Sequence, residues 1–256
     1  MTMRGLFLSV ALFVFVTPAL ASDPSPAEKD TQSLLSAFMF YTDLRIKSVQ
    51  QSLEILASTA AVKSGQWESM KDLLDVYQKL DGKLVVWYVL PDGTYYTPEK
   101  GRMEVKLSDR SYFADLMAGR KVTASLVVSR STGQRSAVTA IPIREGDRVL
   151  GGIGVSLFLD QLAEDVSAVL SLRPGLSFFA LAPNGQTTLH PRADRHFLDP
   201  REQGSETLKT TVNEMLAQTA GQSTYFFDNL NKAAIYRTSP ITQWKFVLVS
   251  SATPQK

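Results

Sequence analysis

Apolar and polar positions fall in one order of blocks that this chain uses twice. Residues 84–90 form a continuous apolar and aromatic run that breaks at Pro91-Asp92-Gly93. Residues 178–182 form a second run and break in the same way at Pro183-Asn184-Gly185. An unbroken run of this length bounded by turn residues predicts a buried strand, and Asp-Gly and Asn-Gly are tight-turn pairs. Each half continues through a polar and helical stretch into a meander whose middle strand ends in a proline, Thr139-Ala140-Ile141-Pro142-Ile143 and Arg237-Thr238-Ser239-Pro240-Ile241. From turn proline to strand proline the spacing is 142 − 91 = 51 and 240 − 183 = 57. Matched landmarks at nearly matched spacing predict a duplicated module.

The remaining elements follow from the same patterning. Over residues 30–63 the period is helical: Leu35, Phe38, Thr42, Val49, Leu53, Leu56 and Ala60 fall near one face, and Gly65 stops the run. At ~1.5 Å per residue that helix is roughly 50 Å long. A second helix is predicted over 67–80. In the first half, 94–97 returns from the turn, 98–107 is a polar loop, and Ser108-Asp109 are N-cap residues for a helix over 111–119. Strands at 123–130, 136–144 and 149–157 are joined by short turns, which makes them antiparallel neighbours. Leu159, Leu162, Val166, Val169 and Leu170 carry a connecting helix that ends before Pro174-Gly175. The second half predicts a hairpin at 178–182 and 186–189, a helix near 206–218, and strands at 223–228, 233–238 and 244–250. The fold class is therefore α+β: a long N-terminal helix and two modules, each an antiparallel sheet flanked by helices.

The N-terminus adds an address. One positive charge at Arg4, the apolar run 6–16, the break at Thr17-Pro18 and the small residues of Ala19-Leu20-Ala21 compose a secretory signal, with cleavage expected after Ala21. An uncleaved anchor is the alternative, although a membrane-spanning helix needs about 20 apolar residues. The expected organisation is a signal at 1–21, a linker and helices at 22–82, a first module at 83–172, a second, smaller one at 173–251, and a tail at 252–256. Location is then periplasmic or secreted. There is no cysteine, so neither a lipid-modified cysteine nor a disulfide nor a thiolate metal site is expected. With 27 basic and 25 acidic residues and no basic stripe, nucleic acid is not the expected partner. After the last predicted strand the chain leaves no room for a kinase, a cyclase or a methyl-accepting helix.

Three segments carry a resemblance: Val89-Leu90-Pro91-Asp92-Gly93-Thr94-Tyr95-Tyr96, Leu107-Ser108-Asp109-Arg110-Ser111-Tyr112-Phe113 and Ser129-Arg130-Ser131-Thr132-Gly133. Together with the signal, the long helix and the two modules, they make residues 30–250 resemble the double Cache family of PAS-like periplasmic sensor domains, in its free-standing soluble form. The resemblance implies a ligand in the membrane-distal module, here the first. It implies that the second module is empty and relays a change of shape.

The candidate site lies in that first module. Arginine at a helix start is disfavoured by the helix dipole unless an anion shares the place, and its fork suits a carboxylate. In the resembled family the arginine matching Arg110 binds the ligand carboxylate and the aromatics matching Tyr112 and Phe113 wall the pocket. The plainer account of Arg110 is an ion pair with Asp109 or another local acid. Amino-acid-binding relatives carry Arg-x-Trp-Tyr and an Asp in the last meander strand that holds the ammonium group. Here the motif is Arg110-Ser111-Tyr112-Phe113, and Ser156 stands at the Asp position. A buried ammonium without an anion is costly, so the expected ligand is a carboxylate lacking an α-amino group. Trp87, Tyr95 and Tyr96 lie on the first hairpin, where at most one of the two tyrosines can face a pocket; sheet packing is the plainer role for all three. Ser125, Val127 and Ser129 share one face of a strand, as do Thr139 and Ile141 on the next, and alternation leaves open which face is inward. His190, Asp194 and His196 are the one imaginable metal set, but Arg192 and Arg195 among them would repel a cation, so a surface loop is expected, with no metal and no cofactor.

Three function classes remain to be weighed. The favoured one is a non-enzymatic small-molecule sensor that presents its signal to a membrane receptor or kinase, with the joint at Arg173-Pro174-Gly175 as a place for movement. The second is a ligand-free interaction module that uses the long helix, which an exposed apolar ridge over 35–60 would favour. Catalysis is the least supported. No Ser/His/Asp set at motif spacing, cysteine nucleophile or phosphate loop is present, and Gly151-Gly152-Ile153-Gly154 falls inside a predicted strand.

Overall fold

The computed structural model describes residues 26–251, with side chains from residue 29. The expected signal at 1–21, the start of the linker and the tail at 252–256 lie outside the described residues. Helix α1 (Pro26–Ser58) is followed by the short α2 (Ala60–Lys63) and by α3 (Trp67–Asp81). The expected single helix to Lys63 is broken at Thr59, whose backbone is extended at ψ 150° and whose hydroxyl accepts from the Val62 N–H. A β-branched N-cap residue thus starts a new helix where the old one ends.

The first sheet is built from β1 (Leu84–Val89), β2 (Tyr95–Thr97), β3 (Gly101–Arg102), β4 (Val122–Val128), β5 (Arg135–Glu145) and β6 (Arg148–Phe158). Its strand order is β3-β2-β1-β6-β5-β4, with every pairing antiparallel. The short α4 (Phe113–Met117) lies between β3 and β4, and α5 (Leu159–Leu170) leads to the second sheet. That sheet holds β7 (Leu176–Leu181), β8 (Thr187–Leu189), β9 (Ala220–Phe227), β10 (Leu230–Thr238) and β11 (Lys245–Ser251), in the order β8-β7-β11-β10-β9. Helix α6 (Glu206–Ala217) precedes β9. Without the two-residue β3, both sheets have the same order: second strand, first, fifth, fourth, third.

The duplication extends to single hydrogen bonds. Leu90 N–H donates to Thr94 O at 2.8 Å, and Ala182 N–H donates to Gln186 O at 2.8 Å. Inside these turns the Asp92 carboxylate accepts from Thr94 N–H at 3.0 Å, and the Asn184 amide oxygen accepts from Gln186 N–H at 3.1 Å. Gly93 and Gly185 hold the left-handed position at φ 87° and 95°. A Cβ on Gly93 would also stand 2.8 Å from the Ser108 backbone nitrogen, so no side chain fits there. One expectation fails at the strand prolines. Pro240 follows the end of β10, but Pro142 lies within β5, opposite Gly152. Strand β4 stops pairing at Ala140, so beyond that point β5 has an open side where proline is tolerated.

Helix α1 lies across both sheets. Leu35, Phe38, Val49, Leu53 and Leu56 of its predicted stripe are buried, together with Ile46, whereas Ala60 is exposed. Phe38 meets Phe178 and Phe246 edge-on, each at 4.7 Å between ring centroids. One apolar core therefore joins α1 and α5 to the facing sides of both sheets. In α5 the expected Leu159, Leu162, Val166 and Leu170 are buried, but Val169 is exposed. Each sheet carries a separate, smaller cluster on its far face, one under α4 and one under α6.

Candidate functional site

On the far face of the first sheet, the strands and the 107–112 turn close around a small cavity. Trp87 of β1, Tyr95 of β2, Val127 at the end of β4 and Ser156 of β6 form its floor, while Leu107, Arg110, Tyr112 and the loop residues Ser129, Arg130 and Ser131 form its rim. Six predicted site residues, Trp87, Tyr95, Arg110, Tyr112, Ser129 and Ser156, thus come together. Phe113 does not line the cavity; it packs against the same apolar cluster. Tyr96 faces the other way and stacks on Trp67 at 5.1 Å. Val127 and Ser129 point inward, whereas Ile141 lies in the α1 core and the Thr139 hydroxyl faces the Ala124 N–H at 3.5 Å. Strand β4 reaches this arrangement through a bulge between Val122 and Ser125, with Ala124 at φ 54°.

The glycines of β6 make room for the floor. A Cβ on Gly154 would stand 2.3 Å from the Trp87 ring, and one on Gly152 would stand 2.6 Å from Leu116. Trp87 therefore lies flat against the β6 backbone, donates from Nε1 to Ser156 Oγ at 3.3 Å, and stacks on Tyr112 at 6.1 Å.

Two arginines reach the rim in different states. Arg130 forms a fork-to-fork pair with Asp109, at 2.8 and 2.5 Å, and also donates to Lys106 O. That guanidinium holds the Asp109 carboxyl below its usual range. Arg110, for which Asp109 is the obvious local acid, instead donates from Nη2 to the backbone oxygen of Val128 at 2.8 Å. Arg110 Nε is buried without a hydrogen-bond partner, and so is Tyr95 Oη. Burial pushes the Tyr95 and Tyr112 hydroxyls up, so both remain protonated donors. No acidic side chain lines the cavity. Its volume is about 20 Å³, room for roughly one water.

The expected helix start is displaced. Residues 108–112 form tight turns, with Arg110 N–H donating to Leu107 O at 3.0 Å and Phe113 N–H to Arg110 O at 2.9 Å, and α4 begins only at Phe113. Asp109 is engaged by Arg130 and does not cap the helix. Arg110 stands outside a five-residue helix, so its environment owes nothing to a helix dipole. Sequence reasoning also missed Leu107, Arg130 and Ser131 as lining residues. The apolar Leu107 in an otherwise polar stretch and the Ser129-Arg130-Ser131 run of the 129–133 motif were the available signals.

The far face of the second sheet carries a larger cavity, of about 220 Å³, where the resemblance implied an empty relay module. The 190–203 loop that borders it is more than a surface loop. His196 is buried, with Nδ1 2.7 Å from Asp160 and Nε2 3.1 Å from His190 O, which ties the loop to α5. Asp194 pairs with Arg192 at 2.7 Å.

No protein-family model matches this sequence, and no curated protein is similar to it. Solved structures are. The extracellular domain of a proposed histidine kinase, rpHK1S-Z16, is 16% identical with a TM-score of 0.74, over 88% of this chain and 95% of the other. The ligand-binding domain of the Campylobacter jejuni chemoreceptor Tlp3, in complex with 4-methylisoleucine, is 12% identical with a TM-score of 0.66, over 92% and 98%. An extracellular ligand binding receptor from Desulfohalobium retbaense is 12% identical with a TM-score of 0.68, over 87% of this chain and 40% of that one. What these proteins share with the chain is the fold, a long N-terminal helix and two antiparallel sheets flanked by helices.

Proposed function

We propose that this chain is an exported, non-catalytic sensor that binds a small organic carboxylate in the cavity of its first module. One observation carries the reading: Arg110 Nε and Tyr95 Oη, two buried donors without partners, line the same cavity, whose lining holds no acid. A buried unsatisfied donor costs about 1–3 kcal/mol, which an anion accepting from both would recover. Tlp3 structures carry isoleucine or L-valine; here the lining offers no carboxylate to an ammonium group, and the ligand is one without it. A cavity of about 20 Å³ must widen to admit even acetate. Binding then favours a more open form of the 107–112 turn, and that shift is the signal passed to a membrane receptor or kinase.

Thermal shift against propionate, lactate and L-alanine tests this directly. Propionate or lactate should raise Tm by several degrees near 100 Kd, where linkage supplies about 2.7 kcal/mol, and Arg110→Ala should abolish the shift. Stabilisation by L-alanine alone would sink the carboxylate assignment.

A second reading has its own observation. Phe40, Leu44 and Ile55 are exposed on one face of α1, opposite the buried stripe, which favours helix-mediated pairing with another protein. No helix among the described residues is long and apolar enough to cross a membrane. A flat thermal response across the carboxylates would favour this reading.

A further inference from the structure

The cavity of the second module occupies the place that the first cavity occupies in its own module. Phe179 stands four residues before Pro183 as Trp87 does before Pro91, and Thr187 stands four after it as Tyr95 does. Strand pairing extends the match. Ser156 pairs with Val85 and Val138, and Val249 pairs with Ser177 and Ala234 at the corresponding positions. Phe179, Thr187 and Val249 all line the second cavity. Duplication has thus produced two equivalent sites, and the second is the roomier: about 220 Å³ exceeds the ~150 Å³ in which an engineered cavity takes benzene.

Its chemistry is its own. Phe179, Tyr225, Val249 and Leu208 give it apolar walls, while Arg192, Arg195 and Lys232 bring three cations to the lining against one acid, Asp228. Arg192 is already engaged by Asp194, through hydrogen bonds of 3.1 and 2.7 Å. Arg195 donates to Gln203, a neutral acceptor, at 2.8 Å. Lys232 lies over the Phe227 ring, 5.0 Å from its centroid, and forms no ion pair among the described residues. His190 accepts from the Arg192 N–H on Nδ1 at 2.9 Å, which leaves Nε2 as a donor. Burial and the neighbouring Arg195 hold its pKa down at about 4, so the ring is neutral.

We infer that the second module is a second binding site, for a small organic anion with an apolar ring or branched body, held by Arg195 and Lys232 against the Phe179 and Tyr225 wall. A charged fork and a lysine without carboxylate partners beside an apolar chamber suit a carboxylate whose body is buried. This assignment does not depend on the first cavity, and the test separates the two.

The test is calorimetric titration of the purified protein with benzoate, repeated on Arg110→Ala and on Arg195→Gln/Lys232→Met. Expected are binding to the wild type, unchanged binding to Arg110→Ala, and a loss of about tenfold or more in the double variant. Lys232→Met alone, on a half-exposed strand residue, serves if the double variant does not fold, and amide shifts at Thr187 and Tyr225 locate the ligand. The inference is overturned if benzoate gives no binding up to about 10 mM, if Arg110→Ala removes its binding, or if the 195/232 variants leave it unchanged.

Discussion

Gly154 and Trp87 show how much of the first site hangs on an atom that is missing. The indole occupies the volume of the side chain that Gly154 lacks, and from there it reaches Ser156 and Tyr112. Gly154→Ala therefore has to displace the ring. A destabilisation of about 1–3 kcal/mol is expected from overpacking, read by urea unfolding, with a changed tryptophan emission; an unchanged midpoint would mean that the ring moves freely. Asp92 offers a titration test in the preceding turn. Lys106, at 2.8 Å, and both donors of Thr94 hold its carboxyl at about 2, below the usual ~3.9. Because the folded value is the lower one, its contribution is complete above about pH 4 and is lost as pH falls toward about 2. Asp92→Asn should flatten the fall of Tm across that window, whereas a slope equal to that of the wild type would count against it. Both positions were visible in the sequence as a turn signature and a glycine run. What they are for was not, because Lys106 and Trp87 reach them from elsewhere in the chain.

At the scale of elements, α1 does the joining. Its apolar stripe was legible because a 3.6-residue period survives over more than thirty residues, but the same period appears in a helix that pairs with another protein. Phe38 decides between them, since its ring lies edge-on to Phe178 and Phe246 of the second sheet while Val49 and Leu53, further along the helix, belong to the same core as the first. Phe38→Ala should cost about 3–5 kcal/mol, measured by denaturant unfolding, with the second sheet losing protection from hydrogen exchange before the first. A cost below about 1 kcal/mol would show that α1 is only loosely attached there. Helix α4 is the contrasting case. Ser108-Asp109 has the composition of a cap, yet the helix starts at Phe113, because Arg130, twenty-one residues away, takes the Asp109 carboxylate at 2.5 Å. A cap signal is local, and a long-range ion pair overrode it.

For the whole molecule, the repeat at Pro91 and Pro183 announced two modules, and the sheets share one strand order. Duplication of a fold copies the place of a cavity more faithfully than its lining. Thus Trp87, Tyr95 and Ser156 in one module stand where Phe179, Thr187 and Val249 stand in the other, and the cations come from different elements. The sequence by itself determined the order of the main helices and strands, the matched turns and the α+β class. These depend on neighbours within a few residues, through side-chain period, turn conformation and proline geometry. Only the tertiary structure decided which sheet face is inward, that Arg110 meets Val128 O rather than Asp109, that Phe113 stays off the cavity, and that the larger chamber lies in the second module. Each of those rests on groups brought together from distant parts of the chain, where burial and competition for a partner, rather than local pattern, set the outcome.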